Sequence, residues 1–266
     1  MLELKNLTKT FRPTGNPEDD KKALRGVSLT IKDDDFITVI GSNGSGKTTL
    51  LNVIAGTVAP DEGELLLDGK DIAKMSAVKR AEYIGRVFQD PMMGTIADIS
   101  LFENLSIASR RGEKQSPFRW ALTKKKREEF ASLLEPLGLG LEKRLDAAMG
   151  SFSGGQRQSV TLLMASMNHP RLLLLDEHTA ALDPKTAKTV MELTDKIVQE
   201  QHIPTLMITH NMKDAIRYGN RLIMMAEGKI IFDVSGEAKT KLTVKDLIDK
   251  FQSSSEEALP DSMLLD

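Results

Sequence analysis

Apolar and polar positions change period several times along the chain, and each change predicts an element. Residues 1 to 40 read as short strands: LELKNL from Leu2, VSLTI with Val27, Leu29 and Ile31 alternating against polar neighbours, and FITVI from Phe36. The last is apolar enough to be buried on both faces of a parallel sheet. A polar, turn-rich stretch, RPTGNPEDDKK, separates the first two. Leu50, Leu51, Val53 and Ile54 then recur at helical spacing between Thr48 and Thr57, with Gly56 near the end. Glu64 to Leu67 followed by Asp68-Gly69 predicts a strand entering a tight turn, and Ser76 to Ile84 predicts a serine-capped helix. Gly85 to Phe88 is a further short strand that leaves Gln89 at its tip before the Asp90-Pro91 break.

From Ile96 to about Ala165 strand signals vanish, which predicts a helical subdomain inserted between strands. RLLLLDE, from Arg171 to Glu177, is an unbroken apolar strand ending in two carboxylates. A helix over Thr186 to Gln199 and the strand TLMIT, ending at His210, follow it. Asn211 caps a short helix that Gly219 closes, RLIMMAEGKIIFDV makes a hairpin around Glu227-Gly228, and Thr243 to Phe251 reads as a last amphipathic helix. The acidic tail beyond it is expected to be loose, docking only through Met263 to Leu265 if at all.

Chemistry concentrates where these elements end. In FITVIGSNGSGKTT, Phe36 to Thr49, a buried strand meets Gly41, Gly44 and Gly46, which let the chain fold back with its amides facing inward. A helix starting near Gly46 adds its dipole to that anion cradle. Lys47 is placed to reach the outer phosphates of a nucleotide, and the Thr48 hydroxyl to ligate magnesium. Ligands of open parallel sheets bind beyond the carboxyl ends of the strands, so Asp176, Glu177 and His210 are delivered to the same edge. Asp176 suits a metal; Glu177 suits orienting or deprotonating an attacking water. Gln89 can bond magnesium or water. Ser153, Gly154 and Gly155 open another helix, either as a second anion site or as a simple serine cap. Phe11 either stacks on a base or is an ordinary strand aromatic.

Composition narrows the picture slightly. With 266 residues, 40% of them hydrophobic, the chain can bury a substantial core, and its net charge of -2 gives no general electrostatic reason to expect nucleic acid. There is no cysteine, so thiolate metal sites and disulfides are excluded. The N-terminus lacks the layout of a signal peptide, and no run approaches the roughly 18 apolar residues of a membrane span. If the protein acts at a membrane, another chain is expected to supply the span. The basic run from Arg110 to Arg127, which holds Trp120, reads as a solvated face or as a contact for a partner or acidic lipid.

As a set, GSNGSGKTT, Gln89, FSGGQ, LLLLDEHTAALD and His210 resemble the nucleotide-binding subunits of ATP-binding cassette (ABC) transporters. The resemblance covers about residues 1 to 235. It implies an α/β fold: a P-loop NTPase (RecA-like) core with an antiparallel β subdomain and an inserted α-helical subdomain, followed over 236 to 266 by a helix and tail. It also implies ATP and Mg2+, bound through Ser42, Asn43, Gly44, Ser45, Gly46, Lys47, Thr48 and Thr49, with Thr48, Gln89 and Asp176 at the metal. Phe11 takes the adenine-stacking position, Gln89 the loop that senses a membrane partner, Asp183 a dimer contact, His210 the γ-phosphate switch and Glu177 the catalytic base. Two copies are expected to meet head to tail, so that Ser153, Gly154, Gly155 and Gln156 of one cover the phosphate loop of the other.

Phe152, His178 and Ala180 depart from the common leucine, proline and serine of the family pattern. With DPMMGT and DEHTAALDP, the pattern resembles a bacterial subgroup serving importers of amino acids or related solutes. The implied partners are membrane permease subunits and an extracytoplasmic solute-binding protein, with this subunit on the cytoplasmic face of the membrane. An exporter subunit is an alternative, as is a soluble ABC-type ATPase acting on nucleic acid or ribosomes, although neither a second cassette nor a long coiled-coil insertion is present. A small-molecule kinase leaves FSGGQ and the paired acids unexplained.

Overall fold

Polar residues extend the N-terminal ladder well past its apolar stretch. In the computed structural model, β1 runs over Leu2–Phe11 and β2 over Lys21–Ile31, longer than the hydrophobic alternation alone predicts. Thr8, Lys9, Thr10 and Phe11 still pair across to Arg25, Leu24, Lys22 and Lys21, because ladder hydrogen bonds need backbone groups and not apolar side chains. The structure describes residues 1–14, 17–111 and 123–254. The expectations placed on Trp120 and on the tail at Met263 to Leu265 lie outside the described residues.

In chain order there follow β3 (Phe36–Gly41), α1 (Lys47–Ala55), β4 (Glu62–Leu67), β5 (Lys70–Asp71), α2 (Ala77–Arg80) and β6 (Ile84–Val87). Then come α3 (Leu101–Ser109), α4 (Lys124–Leu134), α5 (Gly154–Ser166), β7 (Leu172–Asp176) and α6 (Pro184–Gln201). The chain continues through β8 (Thr205–Ile208), α7 (Met212–Arg217), β9 (Arg221–Ala226), β10 (Lys229–Ser235), α8 (Gly236–Thr240) and α9 (Val244–Ser254). These elements cluster into two compact units, Met1–Arg80 with Pro204–Asp266, and Ala81–Ile203.

In the first unit, an antiparallel sheet runs β2-β1-β4-β5. It turns from β4 to β5 through Asp68 and Gly69, both at positive φ, as a tight hairpin requires. A second set runs β10-β9-β3-β8, with β3 parallel to both β9 and β8. All of β3 is buried, which explains its lack of polar alternation. Helix α1 stops where Gly56 turns left-handed and donates its N–H to the Asn52 and Val53 carbonyls. Leu247 and Phe251 of α9 close a cluster with Ile40, Met212, Leu222 and Met224.

The helix expected over Ser76 to Ile84 is only one turn long, and Arg80 is the reason. Its buried guanidinium donates to the carbonyls of Val53 at 2.6 Å, Ile54 at 2.8 Å, Ala73 at 2.8 Å and Met75 at 2.9 Å. It thereby caps the end of α1, and the chain turns away into β6.

In the second unit, β6 and β7 pair in parallel, with Ile84 opposite Leu172 and Val87 opposite Leu175. Helices α3, α4 and α5 share a core that includes Leu105, Phe130, Leu134, Val160 and Leu163. Burying a side chain such as Phe130 stabilises the fold by ~2–3 kcal/mol. The Phe102 and Phe130 rings meet edge-on, 5.6 Å apart. No helix among the described residues is long and apolar enough to cross a membrane.

Candidate functional site

The phosphate loop is built by backbone geometry that only glycine accepts. Gly41, Gly44 and Gly46 have φ of 153, 87 and 101°. A methyl group on Gly41 would lie 2.1 Å from the Met225 carbonyl oxygen, and one on Gly46 would lie 2.4 Å from that of Ala23. The chain is therefore pressed against its neighbours on the outside of the turn. Lys47, 7% exposed, folds back and donates to the carbonyls of Gly41 at 2.6 Å and Ser42 at 2.8 Å. Its ammonium is held over the loop by those bonds. The Ser45 hydroxyl is buried and makes no hydrogen bond within the protein, a polar group that fits a loop awaiting an oxygen-rich ligand. Ser42 is buried, whereas Asn43, Gly44 and Thr48 are exposed and Thr49 half-buried.

Strand register brings His210 to this loop. Val39 of β3 pairs with Ile208 of β8, and the Thr209 N–H donates to the Val39 carbonyl at 3.1 Å, so His210 leaves β8 level with the start of the turn. Phe11 is exposed at the end of β1, where it pairs with Lys21. The Lys21 ammonium comes within 4.0 Å of where a methyl group on Gly44 would sit. Lys21 is a cation beside the phosphate loop that sequence reading missed; only the Phe11–Lys21 pairing reveals it.

In the second unit, the same logic of register groups the acids. Because Val87 faces Leu175 in the parallel β6–β7 pair, Gln89 and the acids Asp176 and Glu177 all lie at the carboxyl end. Glu177 has φ +45°, a left-handed conformation that costs a non-glycine residue about 1–2 kcal/mol and turns the chain sharply off β7. Next to it, His178 points inward. It is fully buried and bonds Thr194 of α6 at 2.9 Å, and burial pushes its pKa down to about 4. The departure from the family's proline is thus a structural histidine, kept neutral and tied to α6.

At α5, Ser153 is exposed and its hydroxyl accepts the Gln156 N–H at 3.3 Å, while the Gln156 side chain accepts the Ser153 N–H at 3.1 Å. This reciprocal cap satisfies the Gln156 N–H; at the helix start Gly154 is exposed and Gly155 is buried. Asp183 caps α6 by accepting the Thr186 N–H at 3.1 Å, and its bonds to Thr186 hold its carboxyl below the ordinary range. Gln158, fully buried two residues past Gln156, donates to the Phe88 carbonyl at 3.1 Å. Helix α5 is thereby tied to the residue before Gln89, a link with no sequence signal beyond a glutamine at a helical core position.

The donors at the end of the β6–β7 pair are oxygen, not sulfur or nitrogen. No group of three or more His, Cys, Asp or Glu side chains among the described residues could hold a metal ion. The Gln89 amide oxygen and the Asp176 carboxylate, both at the carboxyl end of that pair, are hard oxygen donors of the class that binds hard divalent cations together with phosphate and water.

Residues 24–180, more than half of the chain, match the family model described as ABC transporter. The chain is 45% identical over 253 residues to a tyrosine transport ATP-binding protein of Clostridioides difficile, covering 95% of this chain and 99% of that one. It is 34% identical to a phosphonates import ATP-binding protein of Treponema denticola, covering 88% and 89%. Among solved structures it is similar to the dimeric post-hydrolysis state of the ATP-binding cassette MJ0796 bound to ADP and Pi, with a TM-score of 0.73, 30% identity and coverage of 88% and 98%. The ADP conformation of the cassette MJ1267 gives 0.75, 29%, 96% and 99%.

Proposed function

Since the chain belongs to the ATP-hydrolysing cassettes of ABC transporters, we propose that it drives uptake of an amino acid, with tyrosine the first solute to test. The single observation that carries the solute is the 45% identity, over nearly the full length of both chains, to a tyrosine transport ATP-binding protein. The permease that carries the solute is a separate membrane chain, and an extracytoplasmic solute-binding protein delivers it. The cassette then sits on the cytoplasmic face of the membrane.

Within the cassette, the loop amides and Lys47 hold the β- and γ-phosphates, and Phe11 stacks on the adenine. Thr48, Gln89 and Asp176 would hold Mg2+, which would neutralise charge on the phosphates. Glu177 accepts a proton from the attacking water, and His210 contacts the γ-phosphate. Two copies close head to tail, so that Ser153, Gly154, Gly155 and Gln156 of one copy meet the nucleotide held by the other, with Asp183 at the contact. The exposed Ser153 and Gly154 at the start of α5, and a resemblance to a dimeric cassette bound to ADP and Pi, support that reading.

Affinity purification of the tagged chain from detergent-solubilised membranes tests the transport assignment. The expected result is a co-purifying permease whose reconstituted vesicles, supplied with the solute-binding protein, take up labelled tyrosine only with ATP. A soluble nucleic-acid or ribosome complex with no membrane protein would overturn it.

A further inference from the structure

Asp176 is paired across the β6–β7 ladder with a cation that the phosphate chemistry leaves unused. Arg86 Nη2 donates to Asp176 Oδ2 at 3.2 Å, and both side chains are only 13% exposed. The guanidinium is fixed from one face by the Phe88 ring, whose centroid lies 4.6 Å away. Its Nε is buried and makes no hydrogen bond. A pair kept only for stability would be expected to use the guanidinium fork on both carboxylate oxygens, or to be replaced by apolar side chains at little cost. Here one donor goes to one oxygen, the ring sets the plane, and a buried nitrogen is left unsatisfied.

We propose that Arg86 is a positioning residue for the metal: held by Phe88, it fixes the rotamer of Asp176 and so the direction in which that carboxylate offers oxygen to the metal that accompanies ATP. This rests on the reading of Asp176 as a metal carboxylate. Partners behind a metal ligand set its orientation, and their loss typically weakens metal binding about 10–100-fold. Electrostatics alone predicts the opposite sign, because removing a cation next to the site makes it more attractive to a metal. The two accounts are therefore separable.

The test is the ratio of the affinities for Mn2+-ATP and for metal-free ATP, measured by titration with and without chelator on the full chain. Arg86→Met is expected to lower that ratio about 10-fold while metal-free ATP binding stays within about twofold, and Arg86→Lys to recover most of the loss. Arg86→Gln carries the same expectation as Arg86→Met and replaces it if circular dichroism shows that the latter does not fold. An unchanged or increased ratio in the neutral variants overturns the role of Arg86. Asp176→Asn is run beside them: if it leaves the ratio unchanged, the metal reading of Asp176 fails instead.

Discussion

The chain opens two helices with glycine and hydroxyl residues and finishes them in opposite ways. Helix α1 starts after Gly46, a left-handed residue with no side chain to cap the first turn, and Lys47 folds back over the loop. Helix α5 starts after Ser153, whose side chain exchanges bonds with Gln156 and closes part of its own N-terminus. Both ends carry the positive pole of a helix, but only the first is shaped by its own unit into a cradle. The second satisfies its own Gln156 N–H through the Ser153 side chain and exposes Gly154, while Gly155 is buried. One end is thus shaped as a cradle by its own unit; the other is capped on itself, and we propose that it meets its anion on the other copy.

The largest expected effect separates binding from chemistry. Glu177→Gln is expected to cut ATP turnover about 10²- to 10⁴-fold while ATP affinity, which belongs to the loop, is kept; steady-state phosphate release and nucleotide titration check this. Turnover within twofold of wild type would remove Glu177 from the role of base.

A pH experiment asks whether the acid-bearing unit has its own weakness. His178 is held at a pKa of about 4 by burial, against about 6.5 in the unfolded chain, so the native state favours the neutral ring. Its contribution is fully present above the unfolded value and is lost as pH falls toward the folded one, because the unfolded form takes up the proton first. Over that window the loss is ~3 kcal/mol, and His178→Gln is expected to flatten it in urea unfolding followed from pH 7 to 4. An acid limb that is identical in the variant would contradict this.

Substitutions at the two helix starts probe the contrast itself. Gly46→Ala places a methyl group against the Ala23 carbonyl and forces an alanine to φ 101°. It is expected to lower stability by ~2 kcal/mol and to weaken ATP binding more than tenfold by opening the cradle, read by thermal unfolding and nucleotide titration. Ser153→Ala breaks only the reciprocal cap. It is expected to cost ~1 kcal/mol of stability and to leave ATP binding to the monomer unchanged. Equal losses of monomer ATP affinity at both helix starts would erase the distinction.

The parts legible in the sequence were those set by local chemistry. Glycine spacing announces the turn at Gly41 to Gly46, the apolar run announces β7, and Ser153 with Gly154 and Gly155 announces a helix start for which a simple serine cap is one of two readings. What escaped depends on residues far apart in sequence. The reach of β1 and β2 follows from pairing between polar residues, and the one-turn length of α2 follows from Arg80 bonding to carbonyls of α1. Arg86 beside Asp176, Gln158 beneath Phe88 and Lys21 beside Gly44 each need a strand register or a helix packing that no single segment encodes. His178, a mere departure from a family pattern in the sequence, acquires its reason only from Thr194, a helix away.

The chain contains no cysteine, which makes the shared site directly testable. Asn43 and Ser153 are both exposed, one on the phosphate loop and one at the start of α5. With Asn43→Cys and Ser153→Cys introduced together into the Glu177→Gln background, a short bismaleimide should link two chains when ATP is present, while either cysteine alone should not. A linked dimer whose yield rises with ATP is the predicted result. No linked dimer at saturating ATP, or the same yield without it, would contradict the claim that each loop is completed by the other copy.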